Sequence, residues 1–386
     1  MTSPVMAAGA GLGRGGNALS AVMDASLTAM DRLGKDRAHL AFVFTTPDGG
    51  CVADALVHTV RRVTGATVVV GCSGAGVLTG DGEIEARPGV AVLAVHAEGC
   101  AMTPFCFSEG GEAELIDRVA PTVGSGGLLV LLPDARRLYP AALLDRLNQA
   151  LPGVPVVGAV AAGAPMFELF QTDRVERSLV GLALGGVPIS IGVAQGCQPI
   201  GAPYVITRAE GNMMYEIGSR PAVEILREAI STIANPDERI HEGDLYAGFA
   251  IDPKKSPLGR GDFLVRGLVS FDQKAGTVIV IEPVHVGQTI QFHVRDRESA
   301  HVDLEETLTA MAQRLGSRPP QCGLYFNCLG RGLNLFEVLD HDVMMIRKTL
   351  GDFPLAGFFG NGEFAPIGGK NFFHNYTGVL AVFPET

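Results

Sequence analysis

Close to the carboxyl end, Asn327-Cys328-Leu329-Gly330-Arg331-Gly332 gathers a carboxamide, a thiol and a guanidinium between an apolar run and a helical pattern at 335–350. Backbone N–H groups and the positive end of a helix suit an anion at such a junction. Arg331 adds a two-pronged donor for a carboxylate, and Gly332 allows close approach. Glu363 follows the glycine loop 357–362 and can hold an amino group. Arg331 and Glu363 thus offer one partner for each end of a zwitterion. Against this stands a structural role, with Arg331 bonded to loop carbonyls or a nearby acid and Glu363 paired with Arg331 or Lys370.

Thiols are the next chemistry to weigh. Cys72 and Ser73 sit in the loop 71–76, and Cys328 sits where a helix is expected to begin, a position that can lower a thiol pKa. His374 is a conceivable base for a Cys/His nucleophile, although buried, inert cysteine is the commoner state. Asn361, Asn371 and His374 cluster around the turn Gly368-Gly369 as ligand contacts or turn caps. His341 and Asp342 read as solvated or salt-bridged. The other histidines show no i, i+4 pair and the seven cysteines no C-x-x-C, so no metal site and no cofactor are expected. Residues 11–16 match G-x-G-x-x-G, but the fingerprint needs a preceding buried strand that residues 1–10 are not expected to supply.

The elements that would position these groups repeat along the chain. Apolar runs at 68–70, 155–157 and 354–356 each feed Gly-x-x-x-x-Gly, at 71–76, 158–163 and 357–362. Upstream of each lies an apolar run ending in polar or turn residues (40–44, 128–132, 324–326). A helical pattern separates the two runs (53–63, 141–151, 335–350), and a third apolar run follows the loop (90–95, 179–184, 378–383). The unit is strand, helix, strand, glycine loop, strand, with a parallel crossover that gathers loops at the carboxyl edge of a sheet. Between the second and third units a helix at 221–234 ends near Asn235-Pro236. Strand-like runs follow at 245–251, 263–271, 277–281 and 289–294. The fold class is α/β, with repeated units forming two sheet-containing halves and an added antiparallel β segment in the second. The expected division is a flexible segment 1–19, a first domain 20–198 and a second domain 199–386, with a boundary at the proline-marked stretch 196–206.

Residues 71–78 with 81–85 resemble the FIST N domain. The stretches 326–332, 354–363 and 368–377, with the middle from 263 to 296, resemble the FIST C domain, so the likeness covers about 20 to 385. The first loop departs from the pattern, because Val77 stands where an acidic residue is expected and Glu363 supplies one only in the third. The resemblance implies a stand-alone sensory protein that binds a small molecule, amino acids being the leading class, and signals through a separate partner protein. The alternatives are a cysteine-dependent enzyme and a ligand-independent scaffold.

Composition narrows the classes further. Net charge is −11, and the basic pairs Arg61-Arg62, Arg136-Arg137 and Lys254-Lys255 are scattered, which excludes the basic face that nucleic acid requires. No run approaches the ~18 apolar residues of a spanning helix. The first 22 residues lack a signal-peptide pattern. A cytoplasmic protein with reduced cysteines is expected, its ligand contacts drawn from Cys72, Ser73, Asn327, Cys328, Arg331, Gly332, Asn361, Glu363, Asn371 and His374.

Overall fold

A computed structural model describes residues 5–15, 17–47, 53–107, 111–124, 126–134, 136, 139–175, 179–233 and 242–385. Cys51, Arg137, the pair Asn235-Pro236 and His241 lie outside them. The expected α/β class holds, with four sheets.

The repeat proves longer than the apolar runs suggest. The first copy is β1 (Val5–Arg14), α1 (Ala18–Leu33), β2 (Leu40–Thr45), α2 (Ala53–Thr64), β3 (Val68–Ser73), the hairpin β4 (Gly76–Thr79) and β5 (Gly82–Glu85), then β6 (Gly89–Glu98). The second keeps that order: β7 (Ala101–Phe107), α3 (Glu112–Val123), β8 (Gly127–Pro133), α4 (Pro140–Ala150), β9 (Val156–Ala159), the hairpin β10 (Glu168–Phe170) and β11 (Asp173–Val175), then β12 (Leu179–Gly185). The third opens with β13 (Ser190–Ala194). An insertion then brings β14 (Gln198–Glu210), β15 (Met213–Ile217), β16 (Arg220–Pro221), α5 (Ala222–Ser231), β17 (Leu245–Ala250), β18 (Phe263–Asp272), β19 (Thr277–Val280) and β20 (Thr289–Val294). The copy resumes with α6 (Arg297–Leu315), β21 (Pro320–Cys328), α7 (Leu333–Phe336), α8 (His341–Leu350) and β22 (Leu355–Gly360). It closes with the hairpin β23 (Glu363–Ile367) and β24 (Lys370–His374), then β25 (Gly378–Pro384).

Two compact units result: residues 1–193 with 307–386, and residues 194–306. In the first unit each copy builds one sheet on one plan. The orders are β1-β6-β2-β3, β7-β12-β8-β9 and β13-β25-β21-β22, each completed by a hairpin from another copy. Hairpin β10–β11 joins β3, β23–β24 joins β9, and β4–β5 joins β22. The exchange is cyclic, so no sheet is complete without its neighbour. Phe42, Phe44, Val130, Leu132, Leu324 and Phe326 turn inward into one shared core. The opposite faces of the first two sheets bury Val43 under α1 and α2, and Leu131 under α3 and α4.

One glycine per copy fixes the parallel pair. Gly71, Gly158 and Gly357 face Val43, Leu131 and Tyr325 in register. A Cβ on each would fall 1.8–1.9 Å from the facing carbonyl oxygen, which only glycine tolerates.

Part of the segment expected to be flexible is instead strand β1, paired with β6 over its whole length. Its alternating Gly9, Gly11 and Gly13 share one face, where a Cβ would meet the backbone oxygens of Ala29, Ala25 and Ala21 at 1.9–2.0 Å. The G-x-G pattern therefore seats α1 on the strand and cradles no phosphate. The carboxyl-terminal helical pattern also divides into α7 and α8, because Glu337 and Asp340 adopt positive φ (57° and 63°).

Within the second unit, strands β14-β20-β17-β18-β19-β15 close into a barrel through the β14–β15 pairing. Ile206, Met214, Ile217, Val278, Val280, Ile290 and Phe292 lie among its buried core, with α5 packed in the same cluster. The four later strands match the sequence expectation. The proline-marked stretch 196–206 lies beside the start of this unit at Ala194 and is largely strand β14, which runs through Pro199 and Pro203 with a register shift between Ile200 and Tyr204. Pro203 falls within that shift, where no ladder bond is required of it. No helix among the described residues is long and apolar enough to cross a membrane.

Candidate functional site

At the carboxyl ends of β21 and β22 a buried polar cluster forms around Asp342, the second residue of α8. Its carboxylate accepts from Tyr325 Oη (2.8 Å), Asn327 Nδ2 (3.1 Å) and both Nε (3.0 Å) and Nη2 (3.2 Å) of Arg331. His341 Nδ1 lies 2.8 Å from its other oxygen and stacks on Phe336 at 3.5 Å. Asp342 and Arg331 are fully buried. Burial would raise the Asp342 pKa, but Arg331 and His341 outweigh it and hold the carboxylate well below its usual range. Of the solvated and salt-bridged alternatives for Asp342, the salt-bridged one holds; the helical pattern does not show that α8 begins only at His341, which places Asp342 against Arg331.

Expected helix-end anion binding is met from within the chain. Glu85 Oε1 accepts from the Leu333 N–H (3.0 Å) at the start of α7, and Glu83 Oε1 from the Val343 N–H (3.4 Å) in α8. Both carboxyls arrive on the exchanged hairpin β4–β5. A Cβ on Gly332 would fall 2.5 Å from Glu85, so that glycine makes room for the carboxylate. Glu83 is buried, and burial, then Asp342 and Glu85, push its pKa up to about 9.

Glu363 is fully buried at the start of β23. Its Oε2 accepts from the Thr377 N–H (3.1 Å), and the Cys328 side chain hydrogen-bonds the carboxyl. Burial pushes it up to about 8 against the pull of those bonds and of Arg331. His374 stands opposite Glu363 across the hairpin, its Nε2 3.2 Å from Ala365 O. Cys328 and Arg331 thus reach Glu363, Asn327 and Arg331 reach Asp342, and His374 stands opposite Glu363, a placement of His374 that nothing in the sequence indicates. Three oxygens there, Glu363 Oε1, Asn327 Oδ1 and Glu83 Oε2, are buried with no hydrogen-bond partner among the described residues.

The remaining expected contacts lie elsewhere. Asn361 is exposed, its N–H donating to Val160 O (3.0 Å). Asn371 is a latch: its Oδ1 accepts from Val156 N–H (2.8 Å), its Nδ2 donates to Val154 O (2.9 Å), and it exchanges bonds with Asn148. Gln171 holds Val69 N–H (3.1 Å) at the equivalent strand position of the first sheet. Asn371→Ala is expected to cost about 2 kcal/mol, from several buried bonds at about 1 kcal/mol each less relaxation, measured by urea unfolding; an unchanged midpoint would remove the latch.

Cys72 and Ser73 occupy the corresponding point of the first sheet. Ser73 Oγ accepts from Phe167 N–H (3.1 Å). Burial, then the Glu168 charge, raise the Cys72 thiol well above its usual range, which opposes a nucleophilic role. Glu168 faces Cys72 in the register that Glu363 keeps with Ala159 and Val77 with Phe358. The acid missing from the first loop is thus present in the second copy, spaced too far from its glycines to be seen in sequence. No group of His, Cys, Asp and Glu suited to a metal occurs among the described residues.

Glu363 also sets a pH dependence. Unfolded glutamate titrates near about 4.3, whereas folded Glu363 and Glu83 hold their protons to about 8 and about 9. From about pH 4.5 to 8 the folded chain binds more protons than the unfolded one, so stability falls as pH rises. Glu363→Gln is expected to flatten this fall in melting temperature between pH 5 and 8. An unaltered slope would show that Glu363 ionises normally.

Family models match over most of the chain, the FIST N domain at residues 39–220 and the FIST C domain at 222–366. An uncharacterized protein of Mycobacterium tuberculosis is 34% identical over 98% of this chain and 100% of its own length. An uncharacterized protein of Mycobacterium bovis is 35% identical over 96% of each.

Proposed function

The chain belongs to the FIST family, whose domains are generally sensory and signal-transduction domains, and on that premise we propose that it binds a small molecule and passes the signal to a separate partner protein. The observation that carries this reading is Glu363. Its carboxyl is fully buried, one oxygen lacks a hydrogen-bond partner among the described residues, and it lies at the carboxyl edge of parallel strands. Unsatisfied buried oxygens cost stability, and such strand edges are where α/β sheets take ligands. Cys328 bonds the same carboxyl, and His374 stands opposite it across the hairpin. Arg331 already serves Asp342, so it orients the site and acts as its internal counter-ion.

A thermal-shift screen of amino acids, amines and related metabolites tests this. Ligand at about a hundred times Kd adds about 2.7 kcal/mol, several degrees for a unit of this size. The shift is expected to vanish in Glu363→Gln, provided that variant melts cooperatively. Indifference to every compound, or a shift that survives in Glu363→Gln, would overturn the reading.

A further inference from the structure

Three exposed apolar side chains fall close together at the corner of α7 and α8. Val338, Leu339 and Met344 are 52%, 45% and 64% exposed, and exposed apolar residues gathered in one place mark contact surfaces. The helix break produces this corner. Glu337 and Asp340 take positive φ (57° and 63°), a strained conformation outside glycine, and the turn between them carries Val338 and Leu339 to solvent. α8 then divides by face. Asp342, Val343 and Ile346 are buried, while Met344, Arg347 and Lys348 are exposed. Positions 340, 344 and 348 recur every four residues and so share the outer face. Arg347 is paired with Asp352, whereas no ion pair among the described residues engages Lys348. Asp340 Oδ1 accepts from the Glu83 N–H (2.6 Å), and its Oδ2 takes no hydrogen bond among the described residues. The outer face therefore reads acid, methionine, base at equal spacing.

We propose that this face is a contact between two copies of the chain, with their α8 helices packed antiparallel about a two-fold axis at Met344. In a two-fold contact, if one residue touches a second, the second touches the first in return. Met344 then meets Met344, and Asp340 meets Lys348 of the second copy, twice over. A parallel pair would set Asp340 on Asp340 and Lys348 on Lys348, so the charge pattern selects the antiparallel arrangement. The flexible thioether of Met344 suits the irregular centre of such a contact, and Val338 and Leu339 add apolar surface beside it. A second copy is the partner that this acid–methionine–base order matches by itself. A ten-residue helix and its corner make a small interface, of the kind that associates weakly and reversibly. The contact goes beyond the sensory reading and stands without it. It lies on the opposite face of the helix that carries Asp342.

Sedimentation equilibrium of the intact chain, from about 1 µM to about 1 mM, tests this. Reversible association to a dimer is expected, weakened by added salt. Met344→Asp sets two carboxylates on the axis and is expected to abolish the dimer. Lys348→Glu faces Asp340 with a like charge twice per dimer and is expected to weaken it about tenfold or more. Leu27→Asp, at an apolar position of α1 that is 53% exposed, is expected to leave it unchanged. All three side chains are exposed, so each variant is expected to keep the unfolding midpoint of the unaltered chain. A chain that stays monomeric throughout would leave the corner to a different protein and overturn the proposal. So would a dimer that survives Met344→Asp, or one lost equally in Leu27→Asp.

Discussion

Replacing Asp342 by alanine is expected to lower the unfolding free energy of the three-sheet unit by about 3–5 kcal/mol, the range for breaking a buried ion pair from one side. The loss is large because four side chains, Tyr325, Asn327, Arg331 and His341, direct polar atoms at one carboxylate. Removing it leaves the Arg331 guanidinium buried without countercharge and the Tyr325 hydroxyl without an acceptor. Asp342→Asn keeps the shape and some bonds, so a smaller loss is expected. Joint replacement of Arg331 and Asp342 by apolar residues of similar volume is expected to cost less than Asp342→Ala, since no lone charge remains. Urea unfolding followed by tyrosine fluorescence measures all three. A loss below about 1 kcal/mol for Asp342→Ala, within the range of exposed pairs, would contradict the cluster as described.

An alanine at Gly357 is expected to cost about 3 kcal/mol or more, at or beyond the upper end of ordinary overpacking. Its Cβ would fall 1.8 Å from the Tyr325 carbonyl oxygen, against rigid strand backbone. Relief requires β22 to move away from β21, which separates the strand ends that carry Glu363 and Asn327. The matching substitutions at Gly71 and Gly158 meet Val43 and Leu131 at 1.8 and 1.9 Å and are expected to be equally damaging. Gly126→Ala, with nothing within 4 Å and no positive φ, is the control and is expected to be near neutral. Folded, stable alanine variants at all three tight positions would show that the parallel pairs are not held by close backbone approach.

Much of this architecture is legible in the residues themselves. The three apolar–helical–apolar–glycine units and the four barrel strands from Leu245 to Val294 follow from periodicity, because short buried strands are nearly continuous apolar runs. That the stretches 327–332 and 357–363 lie near one another is expected from strand ends and glycine loops, whereas nothing in the sequence places His374 with Cys328. Three further things were not legible. The cyclic exchange of hairpins leaves no local trace, since β10 or β23 would read the same whichever sheet it joined. Strand β1 hides behind alternating glycine, whose strand propensity is poor, and only contact with Ala21, Ala25 and Ala29 explains it. Asp342 and Glu83 look like ordinary surface acids, because their burial depends on the helix break that makes α8 start at His341 and on a hairpin some 250 residues away in sequence.

The most direct test of the sensory account is native mass spectrometry of the freshly purified chain beside Glu363→Gln. The account predicts that the unaltered protein carries, or takes up from the metabolite screen, one small molecule that the variant does not retain. A bare chain that acquires nothing, or a bound molecule kept equally by Glu363→Gln, would contradict it.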